Sequence, residues 1–221
     1  MSATAAVTDE VATMLSGCST FRSWAEQDEG PYHRDQQPVR RDIGEDRPGT
    51  ALQLGIRLAH EDGWPASATV EIWHCDALGE YSGFVGNNGH SEPDSGTFLR
   101  GGVLTNSSGL ASITTVYPGW YRGRCVHIHL KVHTNVTLTS DGSFTGGQEI
   151  HTGQLFFNET ITTAVARLSP YSANTVTRTT LAQDSIYDEG GAASGLLTLT
   201  ALGSSPSAGY TGTLTLGVES S

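Results

Sequence analysis

The chain has 221 residues, of which 37% are hydrophobic and 16% are charged, enough for one sizeable core, and all-β domains of this size often form a single domain. The formal net charge is -11, from 23 acidic and 12 basic residues, and such a surface would repel phosphate backbones, which argues against a nucleic-acid partner. No stretch is long and apolar enough for a membrane span, and three cysteines are too few for a disulfide scaffold.

The N-terminal part of the chain predicts little regular structure. Residues 7–15 have only weak helical spacing, so we expect a short helix or an ordered arm there. Residues 1–14 lack the basic start and apolar run of a signal peptide, which favours a cytoplasmic or already processed protein, with a secreted protein as the alternative. Residues 27–49 are rich in charge, Gly and Pro and predict irregular structure. We therefore divide the chain into an N-terminal arm, 1–28, and one folded domain, 29–221.

Most of the folded domain predicts strands separated by turns. Residues 52–58 alternate Leu or Ile with other residue types, as in a half-buried strand. The Gly- and Asn-rich segment 79–102 predicts a long loop, and Asn158 is placed to cap one short helix that ends before Pro170. Further strands are predicted over 68–74, 110–116, 126–133, 154–157, 196–201 and 213–218. Strands without strand–helix alternation favour an all-β, antiparallel β-sandwich with long loops.

The predicted strand 126–133, with sequence VHIHLKVH, carries residues that can do chemistry. Because side chains in a strand alternate between faces, its four aliphatic residues share one face and its histidines and lysine share the other. His127 and His129, at positions i and i+2, can then reach one metal ion. A strand with a polar outer face is the simpler interpretation of this spacing alone.

The residues just before this strand strengthen the metal interpretation. Tyr121 and Arg124 follow a turn at Pro118, and this turn would bring a phenol oxygen and a fixed cation beside the two histidines. Phenolate is a hard anionic donor, which suits Fe(III) better than a soft ion. Coordination must then lower the phenol pKa for tyrosine to bind at neutral pH. Without a metal, Tyr121 would be an aromatic rim residue and Arg124 a surface charge.

Five motifs occur in order along the chain: EGPY at 29–32, IWHCDALGEYS at 72–82, FLRG at 98–101, YPGWYRGRCVHIH at 117–129 and GQLFF at 153–157. Together they resemble the intradiol ring-cleavage dioxygenases, the family that includes protocatechuate 3,4-dioxygenase and catechol 1,2-dioxygenase. The resemblance is strong from 29 to 157 and thin beyond, and it is greatest to the short, stand-alone members of actinobacterial type. Several motifs in one order are more specific than any one of them.

This resemblance implies a β-sandwich that holds Fe(III) between a sheet and its loops. Tyr121 would also serve as a base after it leaves the metal, and Arg124 would stabilise negative charge on the substrate ring. Gln154 would lie near the ring, and Tyr32 would line the pocket. By position in the motifs, the implied metal ligands are Tyr81, Tyr121, His127 and His129.

The implied reaction is cleavage of a catechol-type diol between its two hydroxyls, with O2, to a cis,cis-muconate-type diacid. The sequence does not name the catechol. The chain lacks the long helical N-terminal extension through which catechol 1,2-dioxygenases dimerise, so a homo-oligomer is left open. Two other classes stay open as well: a non-catalytic β-sandwich binding module, and a zinc enzyme that uses His127 and His129.

One covalent link is a further hypothesis. Cys18 lies shortly before the EGPY motif, and Cys75 lies within the first ligand segment. A disulfide between them would tie the N-terminal arm to the core and would suit a secreted protein. Two buried free thiols are the alternative.

Overall fold

The structure, a computed structural model, describes residues 26–35, 37–59, 68–84, 95–189 and 195–218. Within these residues, ten strands form two four-stranded sheets and one two-stranded ribbon. The all-β sandwich prediction is confirmed. In the same described part of the chain, no helix is both long and apolar enough to cross a bilayer.

The first sheet has the strand order β4-β1-β10-β9. β1 pairs antiparallel with β4 and parallel with β10, so one pair departs from the antiparallel prediction. A parallel pair needs a long crossover connection, and here the crossover includes the whole second sheet. The strands of the first sheet are β1 (Ala51–Ala59), β4 (Leu110–Val116), β9 (Thr198–Ala201) and β10 (Tyr210–Gly217).

The second sheet has the order β3-β2-β5-β8, and all its neighbouring strands are antiparallel. A two-stranded ribbon, β6 with β7, accompanies it. The strands of the second sheet and the ribbon are β2 (Thr69–Trp73), β3 (Arg100–Leu104), β5 (His127–Thr134), β6 (Thr137–Leu138), β7 (Phe144–Thr145) and β8 (Gln148–Phe156).

The strands β3, β6 and β7 were not predicted, and β8 differs from its predicted bounds. β3 begins inside the segment predicted as a loop, because Gly101 and Gly102 interrupt the apolar alternation that would have marked it. Gly102 leaves room for a neighbouring side chain, since a Cβ at this position would lie 2.5 Å from the Phe144 ring. β8 begins six residues before the predicted 154, because its first half is polar and only its second half is an apolar run.

The hydrophobic core lies between the two sheets. The alternation predicted for β1 is present, since its even-numbered leucines and isoleucine are at most 1% exposed. β5 turns its aliphatic residues to the same core, and burying each such side chain stabilises the fold by roughly 1.5–3 kcal/mol. The core residues of these two strands are Leu52, Leu54, Ile56, Leu58, Ile128, Leu130 and Val132.

The second sheet is also covered on its outer face. Residues 26–34, here called the N-terminal strap, run across β8 and β5: Gln27 N donates to Thr152 O at 3.0 Å, and Gln154 Nε2 donates to Asp28 O at 2.8 Å. Glu29 of the strap forms an ion pair with Lys131. Polar side chains on this face are therefore removed from water and need protein partners.

Two short helices follow the second sheet. Helix α1 (Glu159–Val165) begins after Asn158, whose side chain accepts hydrogen bonds from the backbone at Thr160 and Ile161, so the predicted cap is confirmed. Helix α2 (Ser185–Glu189) begins after Asp184.

Candidate metal centre

The four candidate ligands lie together on the outer face of the second sheet. His127 Nε2 is 3.1 Å from His129 Nε2, 3.3 Å from Tyr121 Oη and 3.5 Å from Tyr81 Oη. A first-row metal ion with bonds of roughly 2 Å holds neighbouring donors roughly 3 Å apart. The donor atoms around His127 Nε2 are therefore spaced to bind one ion.

Two turns bring the tyrosines to the histidines. Asp76 holds the first turn, because its N donates to Glu80 O at 2.8 Å and its Oδ1 accepts from Glu80 N at 3.0 Å, and this turn returns the chain to Tyr81. The loop that carries Tyr121 packs directly against the same turn. A Cβ at Gly119 would lie 2.4 Å from Asp76 O, so only glycine allows the two loops to approach this closely.

Hydrogen bonding fixes the orientation of His127. Its Nδ1 lies 2.7 Å from Cys125 O, and a carbonyl only accepts, so Nδ1 carries the proton and Nε2 presents its lone pair to the centre. Burial lowers the pKa of His127 to about 3, and Arg124 adds to this effect. Burial and then the neighbouring His127 hold the pKa of His129 well below its usual value. Both rings are thus neutral.

The two tyrosines complete the donor set. Burial raises the pKa of Tyr81 well above its ordinary value, and neighbouring Tyr121 raises it further. Burial also raises the pKa of Tyr121, although Arg124 opposes this shift. The phenols can ionise here only beside a strong cation. Two neutral nitrogens with two such oxygens suit a hard, highly charged metal ion.

The same donor set weighs against zinc. Zinc sites are built from Cys, His, Asp and Glu, and a zinc enzyme using His127 and His129 would need a third ligand of that kind. Among the residues that the structure describes, no group of three or more such side chains is arranged to hold one ion. The donors that accompany the two histidines are tyrosine oxygens.

An aromatic wall stands beside the donors. Tyr32, carried by the N-terminal strap, stacks on Tyr81 with ring centroids 4.4 Å apart and an angle of 22° between the planes. Its ring meets Tyr121 edge-on at 5.8 Å and Phe84 edge-on at 5.5 Å. Tyr32 therefore lies next to both candidate tyrosine ligands.

Arg124 and Gln154 are also brought to this face, in contact with each other. Arg124 Nη2 donates to Gln154 Oε1 at 2.5 Å, and Arg124 Nε donates to Asp184 Oδ2 at 2.9 Å. Asp184 is completely buried, and the Arg124 side chain is 15% exposed, so Arg124 is not a surface charge. Gln154 in turn holds the strap through Asp28 O.

Asp184 was not among the residues selected from the sequence. It lies beyond residue 157, where the resemblance becomes thin, and its only local signal is that of an aspartate before a short helix. Cys75 is a buried free cysteine in the structure, and Cys18 lies outside the described residues, so the proposed disulfide stays a prediction.

Comparisons with known proteins show which family this chain resembles. A family model described as "Dioxygenase" matches residues 27–137. Catechol 1,2-dioxygenase 2 of Acinetobacter lwoffii is 38% identical over 99 residues, 42% of this chain and 34% of that protein, so the chain spans about a third of the length of this relative. An intradiol ring-cleavage dioxygenase from Tetranychus urticae superposes with a TM-score of 0.78 at 29% identity, covering 90% of this chain and 95% of that one.

The fold extends to more distant proteins. The 3-chlorocatechol 1,2-dioxygenase of Rhodococcus opacus 1CP is 18% identical, with a TM-score of 0.58 over 96% of this chain and 79% of that one. At this identity the likeness shows the fold alone. The four candidate ligands all lie inside the matched residues 27–137.

Proposed function

Because the chain belongs to the intradiol ring-cleavage dioxygenase family, we propose that it is a ferric dioxygenase that cleaves a catechol-type diol between its two hydroxyls. One observation carries the proposal: two tyrosine oxygens and a second imidazole surround His127 Nε2 at metal-site spacing. The product would be a cis,cis-muconate-type diacid that holds both atoms of O2. The residues proposed to hold the iron are Tyr81, Tyr121, His127 and His129.

Bound Fe(III) would supply Lewis acidity and a template for the diol. A residue of the protein would accept one of the protons that the diol loses. Both diol hydroxyls must lose their protons; Tyr121 would accept one of them as a general base, and a hydroxide at the site would accept the other. Tyr121 is better placed than Tyr81 to act as the base, since it is partly exposed at the end of a loop. Tyr81 is only 2% exposed within the aromatic wall.

Arg124 and Tyr32 would act on the ring of the diol. Arg124 presents a permanent charge on the site face, and its guanidinium would stabilise negative charge that grows on the ring as O2 reacts. Tyr32 would line the pocket beside the ring, because it stacks on Tyr81 and meets Tyr121 edge-on. Gln154 holds Arg124 and the strap, and so orders both of them near the ring.

The experiment tests both whether the protein binds Fe(III) through tyrosine and whether it cleaves a diol with O2. The purified protein is loaded with Fe(III) and its visible absorption is recorded, since Fe(III)–phenolate absorbs there and zinc does not. O2 uptake is then measured over simple, carboxylated, chlorinated and hydroxylated catechols, with ¹⁸O2 and mass spectrometry of the product. We expect a coloured protein and a ring-opened diacid carrying both labelled atoms. A colourless protein, or one that consumes no O2 with any of these diols, would overturn the proposal.

A further inference from the structure

Asp184 uses both of its carboxylate oxygens, and Oδ1 also lies 3.5 Å from Arg124 Nη2. Oδ1 accepts from the backbone N–H groups of Ile186 at 3.1 Å and Tyr187 at 3.0 Å, and this caps helix α2. Oδ2 accepts from Arg124 Nε at 2.9 Å and from Cys125 N at 2.7 Å. One buried carboxylate therefore joins helix α2 to the segment that enters β5.

Arg124 is held by two partners. Asp184 accepts from Nε at 2.9 Å and lies 3.5 Å from Nη2, and Gln154 Oε1 accepts from Nη2 at 2.5 Å. A guanidinium is planar, so two fixed partners define both its place and its plane. The same carboxylate fixes Cys125, whose carbonyl oxygen accepts from His127 Nδ1.

We propose that Asp184 is a positioning residue, which orients Arg124 toward the bound diol and holds the entry of the ligand strand. This inference rests on the proposed function and adds a residue from outside the matched region 27–137. Asp184 need not touch substrate or metal to act. Its effect would be transmitted through the Arg124 guanidinium.

A purely structural role for Asp184, as the cap of helix α2, predicts a different result from the same substitution. Asn caps helices about as well as Asp, so in Asp184→Asn the amide oxygen can keep the bonds to Ile186 and Tyr187. The amide nitrogen then faces Arg124 Nε–H, which only donates. The variant thus keeps the cap and breaks the hydrogen bonds that Oδ2 accepts from Arg124 Nε and Cys125 N.

The test compares iron loading, anaerobic diol binding and the rate of O2 reaction. Asp184→Asn should keep the iron, the visible band and the spectral change on diol binding. Its O2 reaction should slow by about 10- to 100-fold. This loss is smaller than the roughly 10²–10³-fold loss expected for Arg124→Ala. In an Arg124→Ala background, adding Asp184→Asn should slow the reaction by less than about threefold, because the two residues act as one unit. By ¹⁵N NMR, the Arg124 Nε–H should exchange with solvent at least about 10-fold faster in Asp184→Asn.

Glu159 supplies a matched control. Its carboxylate likewise accepts from an arginine, Arg178 Nη1 at 2.6 Å, and from a backbone N–H, Leu181 N at 2.8 Å. Glu159→Gln should leave the O2 reaction within about twofold of the parent, as for substitutions away from the site.

Each outcome decides the inference. It is overturned if Asp184→Asn reacts with O2 at the parent rate, or if its effect is equally large with and without Arg124. A parent protein that consumes no O2 overturns the proposed function and, with it, this inference. An active parent whose Asp184→Asn variant is equally active overturns this inference alone. If Asp184→Asn does not fold, Arg124→Lys replaces it, because lysine keeps the charge but lacks the planar fork that spans Gln154 and Asp184. A roughly tenfold or larger loss in Arg124→Lys supports the inference, and the parent rate overturns it.

Discussion

The two sheets of this protein differ in what covers their outer faces. In the first sheet the inner face forms the core, and the outer face is partly open, as in β9, where three of the four residues are exposed. In the second sheet every residue of β2 and the first six residues of β5 are buried, because the strap and loops cover the outer face. A second covering layer thus converts an ordinary polar sheet face into a site where imidazoles and phenols are withdrawn from water.

The largest effect should come from the outer face of β5. We expect His129→Ala to weaken iron binding by more than about 100-fold, since even the loss of a ligand's hydrogen-bond partner costs 10–100-fold, and to abolish O2 uptake. The metal-free protein should remain folded with a lower thermal unfolding temperature, because the buried ring stacks on Trp73 with centroids 5.0 Å apart. Iron analysis, O2 uptake and thermal unfolding check the three parts.

The control for this substitution lies on the same face of the same strand. His133 hydrogen-bonds to Glu71 at 2.8 Å and is not a candidate ligand, so His133→Gln should keep the iron. A His129→Ala protein that still binds one Fe(III) with parent colour would show that His129 is not a ligand.

The next effect comes from the inner face of β5. Leu130 is completely buried in the core, and Leu130→Ala should lower the free energy of unfolding by about 2–5 kcal/mol through lost burial and the cavity left behind. Urea unfolding of the metal-free protein measures this loss. Protein that remains folded should bind iron in the parent ratio. If Leu130→Ala instead lost iron at parent stability, the two faces would not have separate roles.

A smaller effect is expected for one ligand of the covering loop. Tyr121→Phe should keep iron through the other three ligands, shift the visible band, and slow turnover by about 100-fold, within the range for a general base. Absorption spectra and steady-state kinetics check both parts. Parent spectrum together with parent turnover would show that Tyr121 is not a ligand.

The smallest effect concerns acid stability of the covered face. Glu71 accepts from His33 and His133 at 2.8 Å each; burial alone would raise its pKa, but the hydrogen bonds from His133 and His33 hold the pKa below its ordinary value. A carboxyl with a lower pKa in the folded state stabilises the fold above its unfolded pKa, and this stabilisation is lost as the pH falls through the folded pKa. The gap in unfolding free energy between the parent and Glu71→Gln should therefore narrow as the pH falls below about 4. A gap that does not change with pH would contradict this assignment.

The sequence predicted the parts of the molecule whose signals are local. Alternating aliphatic residues identified β1 and β5, and the order of motifs selected the four candidate ligands that the structure brings together. It did not identify β3, because glycines replaced the apolar alternation there, and it did not show that the strap covers the second sheet.

The parts of the site that the sequence did not predict depend on partners that are distant in the chain. Arg124 was selected from its place before β5, but its partner Asp184 lies 60 residues further along the chain. A hydrogen bond of this kind leaves no periodicity in either segment. The residues that position a site are for this reason harder to predict than the residues that form it.

The parallel pairing of β1 with β10 has a consequence for how the molecule folds. Leu52 pairs with Tyr210, so this contact closes a loop that contains the whole second sheet, and contacts between residues so distant in sequence form slowly. The strands β2, β3, β5 and β8 pair over much shorter stretches of chain. We therefore expect the sheet that bears the site to assemble first, with β1 paired on one edge until β10 has been synthesised and has moved into place.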